Sequence, residues 1–252
     1  MEGHLSQATS VSPQWIEHGD ASRWAYTIAG ITADALRADL AMGDGARLLV
    51  SGGTTPAPVY RELSLHGLDW GRVRVALVDE RWLPPGDADS NAELVRETLL
   101  DGPAAAARFE PILMPDRNLD EAVRAANRMS RPASIALLGM GPDGHTASLF
   151  PDASSLAQAL ASSDDYVSFD AGGCAGAGAW PLRISITPAG LAKARHRLLL
   201  VRGEPKRRLL ERAIAGDSPF ELPVRALFAL PGNPLHVYFP RIKDGSFIHL
   251  LL

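Results

Sequence analysis

Ser134-Ile135-Ala136-Leu137-Leu138-Gly139-Met140-Gly141-Pro142-Asp143-Gly144-His145-Thr146-Ala147-Ser148-Leu149-Phe150-Pro151 decides how the rest of the 252-residue chain is read. Ile135 to Leu138 form a short, unbroken apolar run, the pattern of a strand buried on both faces of a parallel sheet. The run breaks into three glycines, a proline, an aspartate and a histidine within seven residues of Leu138. Glycine permits backbone angles and close approaches that a Cβ resists. In an open α/β sheet, ligands sit just beyond the carboxyl ends of the strands. Asp143 and His145 are therefore candidates for chemistry. The simpler alternative is a glycine-rich turn in which both side chains only satisfy backbone groups.

Working outward, the same grammar recurs. Arg47–Val50 reads as a buried strand, and Ser51-Gly52-Gly53-Thr54-Thr55-Pro56 follows it, with Pro56 or Pro58 placed to open a helix. A glycine turn between a strand and a helix N-terminus presents free N–H groups and a favourable dipole to an anion. It also serves as an ordinary connection, and it matches neither a Walker loop nor G-x-G-x-x-G. Val73–Val78 is a further strand that runs into Asp79-Glu80-Arg81-Trp82-Leu83-Pro84. An Asp79–Arg81 pair steadying that loop is the structural alternative to a functional role. Ser90-Asn91-Ala92-Glu93 has a capping-box pattern that starts a helix to about Leu100.

Asp20 is placed to cap a helix to about Met42, and Phe109–Met114 reads as a strand. Asn118–Met129 is a helix with Glu121 three residues after the cap. Asp152–Trp180 is looser: a short helix, a strand at Tyr166–Phe169, and a glycine-alanine stretch over 171–179 expected to be a mobile loop. Arg183–Thr187 and His196–Val201 are strands, and a helix runs from Lys206 to about Ala215. A lysine in a first turn opposes the helix dipole, a cost that makes sense beside an anion, the alternative being an ordinary solvated lysine. Strands alternating with helices imply βαβ crossovers. The fold class expected is α/β, a single-domain Rossmann-like doubly wound and mostly parallel sheet with helices on both faces. Residues 1–19 form a leading strand or arm and 152–180 a variable loop region of one domain spanning 1–252.

Composition excludes several classes. A formal charge of −4 argues against general nucleic-acid binding and requires any anion site to be a local cationic pocket. With 46% hydrophobic and 21% charged residues, the chain has the balance of a soluble globular protein. One cysteine, Cys174, rules out an intrachain disulfide and reads as a bystander. No apolar run is long enough to span a bilayer. The first residues lack a signal peptide's basic start and apolar core, so a cytoplasmic protein is expected. The seven histidines are scattered, with no H-E-x-x-H or Cys/His cluster, so no metal and no cofactor are expected.

Gly139–Pro151, G-M-G-P-D-G-H-T-A-S-L-F-P, closely resembles the signature loop of the 6-phosphogluconolactonases, which share a superfamily with the glucosamine-6-phosphate deaminases. D-E-R-W-L-P followed by D-S-N resembles their second signature, and the likeness runs in order from about Gly52 to Phe239, weakest over 152–180. The resemblance implies hydrolysis of 6-phospho-D-glucono-1,5-lactone to 6-phosphogluconate. It implies that Gly52, Gly53, Thr54, Thr55 and Lys206 hold the sugar phosphate, that Arg81 contacts phosphate or substrate, and that Asp79 lines the site. Arg183 either reaches the substrate or is a surface charge. His145 is then the general base, a role suited to a side chain whose ordinary pKa is ~6.5. Asp143 or Asp79 orients it, and Arg183 or backbone N–H groups stabilise the oxyanion.

There is no G-x-S-x-G elbow for a serine mechanism, and Ser148 is expected in an apolar contact or cap. Deaminases carry an acidic N-E-P-type segment after the histidine, where this chain has Ser148-Leu149-Phe150-Pro151. A deaminase/isomerase is the nearer alternative and a non-catalytic sugar-phosphate sensor the more distant one. The implied partner is a small phosphosugar lactone, acting on a monomer or small homo-oligomer, with no nucleic acid and no membrane.

Overall fold

The structure, a computed structural model, describes residues 13–18, 21–43 and 45–240. Seven strands form one all-parallel sheet: β1 (Gln14–His18), β2 (Ala46–Val50), β3 (Val73–Leu77), β5 (Arg108–Glu110), β6 (Ala133–Gly139), β9 (Ala194–Leu200) and β10 (Leu235–Pro240). Their spatial order is β1-β10-β9-β6-β2-β3-β5. The helices are α1 (Ala21–Met42), α2 (Ala57–Ser64), α3 (Asn91–Thr98), α4 (Leu119–Met129), α5 (Leu156–Ala161), α6 (Pro188–Ala192) and α7 (Glu204–Ile214). This is the mostly parallel α/β architecture that the alternation of apolar runs and caps implies.

Local chemistry explains the element ends. Trp24, Ile28 and Leu36 of α1 enter the core at helical spacing, and Gly43 after its last turn takes φ +105°, a left-handed value suited to glycine. At α4, Asn118 accepts from Glu121 N while the Glu121 carboxylate accepts from Asn118 N, a complete capping box. At α3 only half of the expected box forms: Ser90 Oγ accepts from Glu93 N, but the Glu93 carboxylate turns to Arg96. Buried Glu80 takes over instead, accepting from Asn91 N and Ala92 N at 2.9 Å each. Asp20, expected to cap α1, and the tail from Asp244 to Leu252 lie outside the described residues. The strand expected over Phe109–Met114 ends at Glu110, because Pro111 has no N–H to continue the ladder.

Asp79-Glu80-Arg81 does not extend the parallel strand before it. It is β4 (Asp79–Arg81), the edge of a second, antiparallel sheet ordered β4-β8-β7, with β7 at Tyr166–Asp170 and β8 at Leu182–Ile186. Val78 is the joint. Its N–H donates to Val50 O at 2.9 Å in the first sheet, and its carbonyl accepts from Ile186 N at 2.7 Å in the second.

The glycine-alanine stretch expected to be mobile packs, with Ala171 and Ala177 buried beside Phe150 and Phe169 in a small separate core.

The winding sets the site. From β2 the chain moves through β3 to β5 on one side, then returns to β6 on the other side and continues outward to β9 and β10. Loops leaving the carboxyl ends of β2 and β6 therefore diverge and leave a crevice between them, the usual ligand position in an open sheet.

Candidate active site at the switch point

That crevice has a volume of about 250 Å³ and is lined by Gly52–Thr55, Asp79, Arg81, His145, Arg183 and Lys206, with the Gly139–Pro142 backbone as floor. Of the residues singled out in the sequence, Asp143 alone is not on its wall. It stands behind His145, accepting from the ring Nδ1 at 2.6 Å and from the His145 backbone N–H at 3.2 Å. With Nδ1 donating to that carboxylate, Nε2 is the ring nitrogen left to exchange a proton with a ligand, and in the neutral imidazole it carries the lone pair. Burial alone would raise the Asp143 pKa. The His145 hydrogen bond and charge, with the backbone donor, outweigh it and hold the carboxyl below its ordinary value.

The ring is held by two neighbours. Phe150 stacks on it at a tilt, with centroids 4.2 Å apart. The Gly141 backbone also lies against it, so close that a Cβ there would be 2.1 Å from His145 Cε1 and 2.7 Å from Asp143 Oδ1. The glycine is required for the approach.

Cations converge from three elements. Arg81 on β4 and Arg183 on β8 are direct cross-strand partners. Like charges placed opposite one another are unfavourable in a sheet unless a counter-ion lies between them or nearby. Arg183 is buried, its Nε donating to Trp180 O at 2.6 Å and Nη2 to Ala177 O at 2.7 Å. Its guanidinium also lies 5.3 Å from the centroid of Phe150, the ring that supports His145. It is thus not a surface charge. Burial lowers its pKa from the ordinary arginine value, against the nearby Asp79 charge. Arg81 donates to the Asp89 carbonyl, while its Nε is buried with no partner among the described residues. Lys206, in the first turn of α7, has its pKa lowered by burial, partly countered by Asp143. At the opposite wall Gly53 turns the chain at φ +93° before Pro56 and α2.

Asp79 backs neither His145 nor Arg81. Its Oδ2 accepts from Ser148 Oγ at 2.6 Å, and Asn91 Nδ2 donates to its carbonyl at 2.9 Å. Ser148 is thus a buried polar partner and not an apolar contact or cap. Asn91 lines the crevice and also lies over Gly52, where a Cβ would be 1.8 Å from its Oδ1. Sequence reading gave Asn91, Ser148 and Phe150 no role in the site. The only signal they carry is their place inside the two motifs, since their partners lie on other loops. Among the described residues, no group of three or more His, Cys, Asp or Glu is disposed to hold a metal ion, and no helix is long and apolar enough to cross a membrane.

Fold and crevice together define an open α/β protein with a cation-lined switch-point site facing a carboxylate-backed imidazole. Comparison with known proteins narrows the class. Residues 19–234 match the family model described as glucosamine-6-phosphate isomerases/6-phosphogluconolactonase, and the chain belongs to that family. It is 44% identical over 227 residues to the 6-phosphogluconolactonase of Xylella fastidiosa, covering 89% of this chain and 95% of the relative. The corresponding Pseudomonas aeruginosa protein is 39% identical over 223 residues, covering 84% and 90%. Among solved structures, a 6-phosphogluconolactonase from Shewanella baltica superposes with a TM-score of 0.84 at 29% identity, covering 92% of this chain and 99% of that one.

Proposed function

We propose that this chain is a hydrolase that converts 6-phospho-D-glucono-1,5-lactone to 6-phosphogluconate, with His145 as general base and no step through a metal. The observation that carries the reading is the Asp143–His145 pair at 2.6 Å opening onto the same crevice as the glycine turn and three cations. The name shared by its relatives agrees with it.

In this reading the phosphate rests on the N–H groups of Gly52–Thr55 and is held by Lys206 and Arg81. Arginine suits bidentate phosphate contact and lysine a point-charge contact. Anchoring the charged end leaves the lactone C1 beside His145, so attack by water becomes nearly unimolecular. His145 Nε2 takes a proton from water as its oxygen bonds to C1 and the carbonyl electrons move to the oxyanion. The imidazolium is stabilised by Asp143. Collapse re-forms the carbonyl and breaks the bond from C1 to the ring oxygen, which receives the proton from Nε2. The product acid then ionises. Arg183, packed on the same Phe150 ring as His145, is the cation nearest in kind to an oxyanion partner.

The test is lactone hydrolysis followed by acid release, with the spontaneous rate subtracted. His145→Ala is expected to lose roughly 10²–10⁴ in kcat. Near-wild-type turnover by a folded His145→Ala protein removes the assignment. Ammonia release from glucosamine 6-phosphate would instead support the deaminase reading, for which the corresponding stretch Ser148–Pro151 offers no carboxylate.

A further inference from the structure

The two arginines of the crevice are tied together from outside it. Arg81 donates to the backbone carbonyl of Asp89, and the Asp89 carboxylate accepts from Trp180 Nε1 at 2.9 Å. The Trp180 carbonyl in turn accepts from Arg183 Nε at 2.6 Å, and the ring closes through Trp82 N donating to Leu182 O at 2.8 Å beside the Arg81–Arg183 register. One loop, 82–90, follows the acidic motif. The other, 171–181, falls almost wholly within 152–180, where the likeness to the family is weakest.

We propose that Asp89 and Trp180 form a clasp that positions Arg81 and Arg183 as one cationic unit facing the substrate. Neither residue itself lines the crevice, and each meets it only through an arginine, so both are positioning residues. The proposal rests on the reading of the crevice as a phosphosugar site. The two arginines depend on the clasp unequally. Arg183 keeps the Ala177 carbonyl and the Phe150 face whatever Trp180 does. Among the described residues, Arg81 has only the Asp89 carbonyl for its guanidinium, with Nε unpartnered. Loosening the 82–90 loop therefore frees chiefly the arginine assigned to the phosphate, and the effect falls on binding more than on turnover.

Two substitutions cut the same bond and leave both backbone carbonyls in place: Asp89→Ala removes the acceptor and Trp180→Phe the donor. Because the bond is exposed, each is expected to raise KM for the phosphorylated lactone about three- to tenfold, with kcat changed less than about twofold. The double variant should be no worse than either single one, since both remove one interaction. Asp89→Asn, which keeps an acceptor, should restore most of the affinity. Titration with inorganic phosphate and with 6-phosphogluconate gives a readout independent of turnover. Weaker phosphate binding in the two variants supports the clasp even if the wild-type chain fails to hydrolyse the lactone, a result that would overturn the functional reading alone. Unchanged KM and phosphate affinity in both variants, additive losses in the double variant, or an Asp89→Asn protein as weak as the Asp89→Ala one would each overturn the clasp.

Discussion

Gly141→Ala adds a single methyl group and is the sharpest probe of how the imidazole is held. The backbone tolerates it, since Gly141 is outside the left-handed region. The new Cβ would lie 2.1 Å from His145 Cε1 and 2.2 Å from Nδ1. Ordinary carbon contacts need about 3.5 Å, so the ring must withdraw by about 1.4 Å or the loop must open by as much. Phe150 already packs on the ring, with centroids 4.2 Å apart, and limits the room for that withdrawal. Either response also stretches the 2.6 Å bond to Asp143. A displacement near 1 Å costs on the order of 10² in rate, and the weakened carboxylate contact adds to it. Gly141→Ala should therefore lose about 10²–10³ in kcat, with KM within about threefold because the phosphate contacts lie on other loops. Initial-rate assays over a range of lactone concentrations separate the two terms, and circular dichroism checks folding. Gly67→Ala is the control, since a Cβ there meets nothing within 4 Å. A folded Gly141→Ala protein with kcat within threefold of wild type would show that the ring does not depend on this contact.

The remaining predictions concern the groups around the pair. Ser148→Ala should cost about 1–3 kcal/mol in urea unfolding, because the buried Asp79 carboxylate loses its 2.6 Å donor; a loss below about 0.5 kcal/mol refutes the bond. Lys206→Met should raise KM for the phosphorylated lactone roughly tenfold or more while leaving the melting temperature unchanged or higher, since burial disfavours the ammonium it removes. An equal loss on unphosphorylated gluconolactone would count against phosphate anchoring. The last concerns pH. The folded Asp143 pKa is depressed, so its ionised form stabilises the protein above the unfolded value and that contribution is lost as pH falls through the folded one. The stability gap between wild type and Asp143→Asn should be present near neutrality and close as pH falls below about 4. A gap that persists or widens below about pH 4 would reverse the sign.

Much of the fold could be read one segment at a time. The apolar run Ile135–Leu138, the glycine turn after Val50 and the Asn118–Glu121 box each encode their structure within a few residues, through burial on both faces, backbone freedom and reciprocal capping. Gly52–Thr55 and His145 could be brought to one crevice by the rule that loops at the carboxyl ends of parallel strands meet at one edge, whereas the site roles of Arg81 and Arg183, which stand on the second sheet, came only from the likeness of their motifs to the family's. The second sheet was not legible. Nothing near Asp79 announces that it will pair with Ser185 across the chain, and the apolar run before it reads straight through Val78.

The sequence by itself determined which segments become buried strands, where the helices start, and which loop carries the aspartate and the imidazole. Tertiary structure alone decided their partnerships. It placed Asp143 and not Asp79 behind His145, gave Asp79 to a serine 69 positions away, and joined Asp89 to Trp180 across 91. The physical reason is one of range. Helix caps, turns and apolar periodicity are set by neighbours along the chain, whereas a hydrogen bond between distant loops exists only once sheet packing has fixed both ends within about 3 Å.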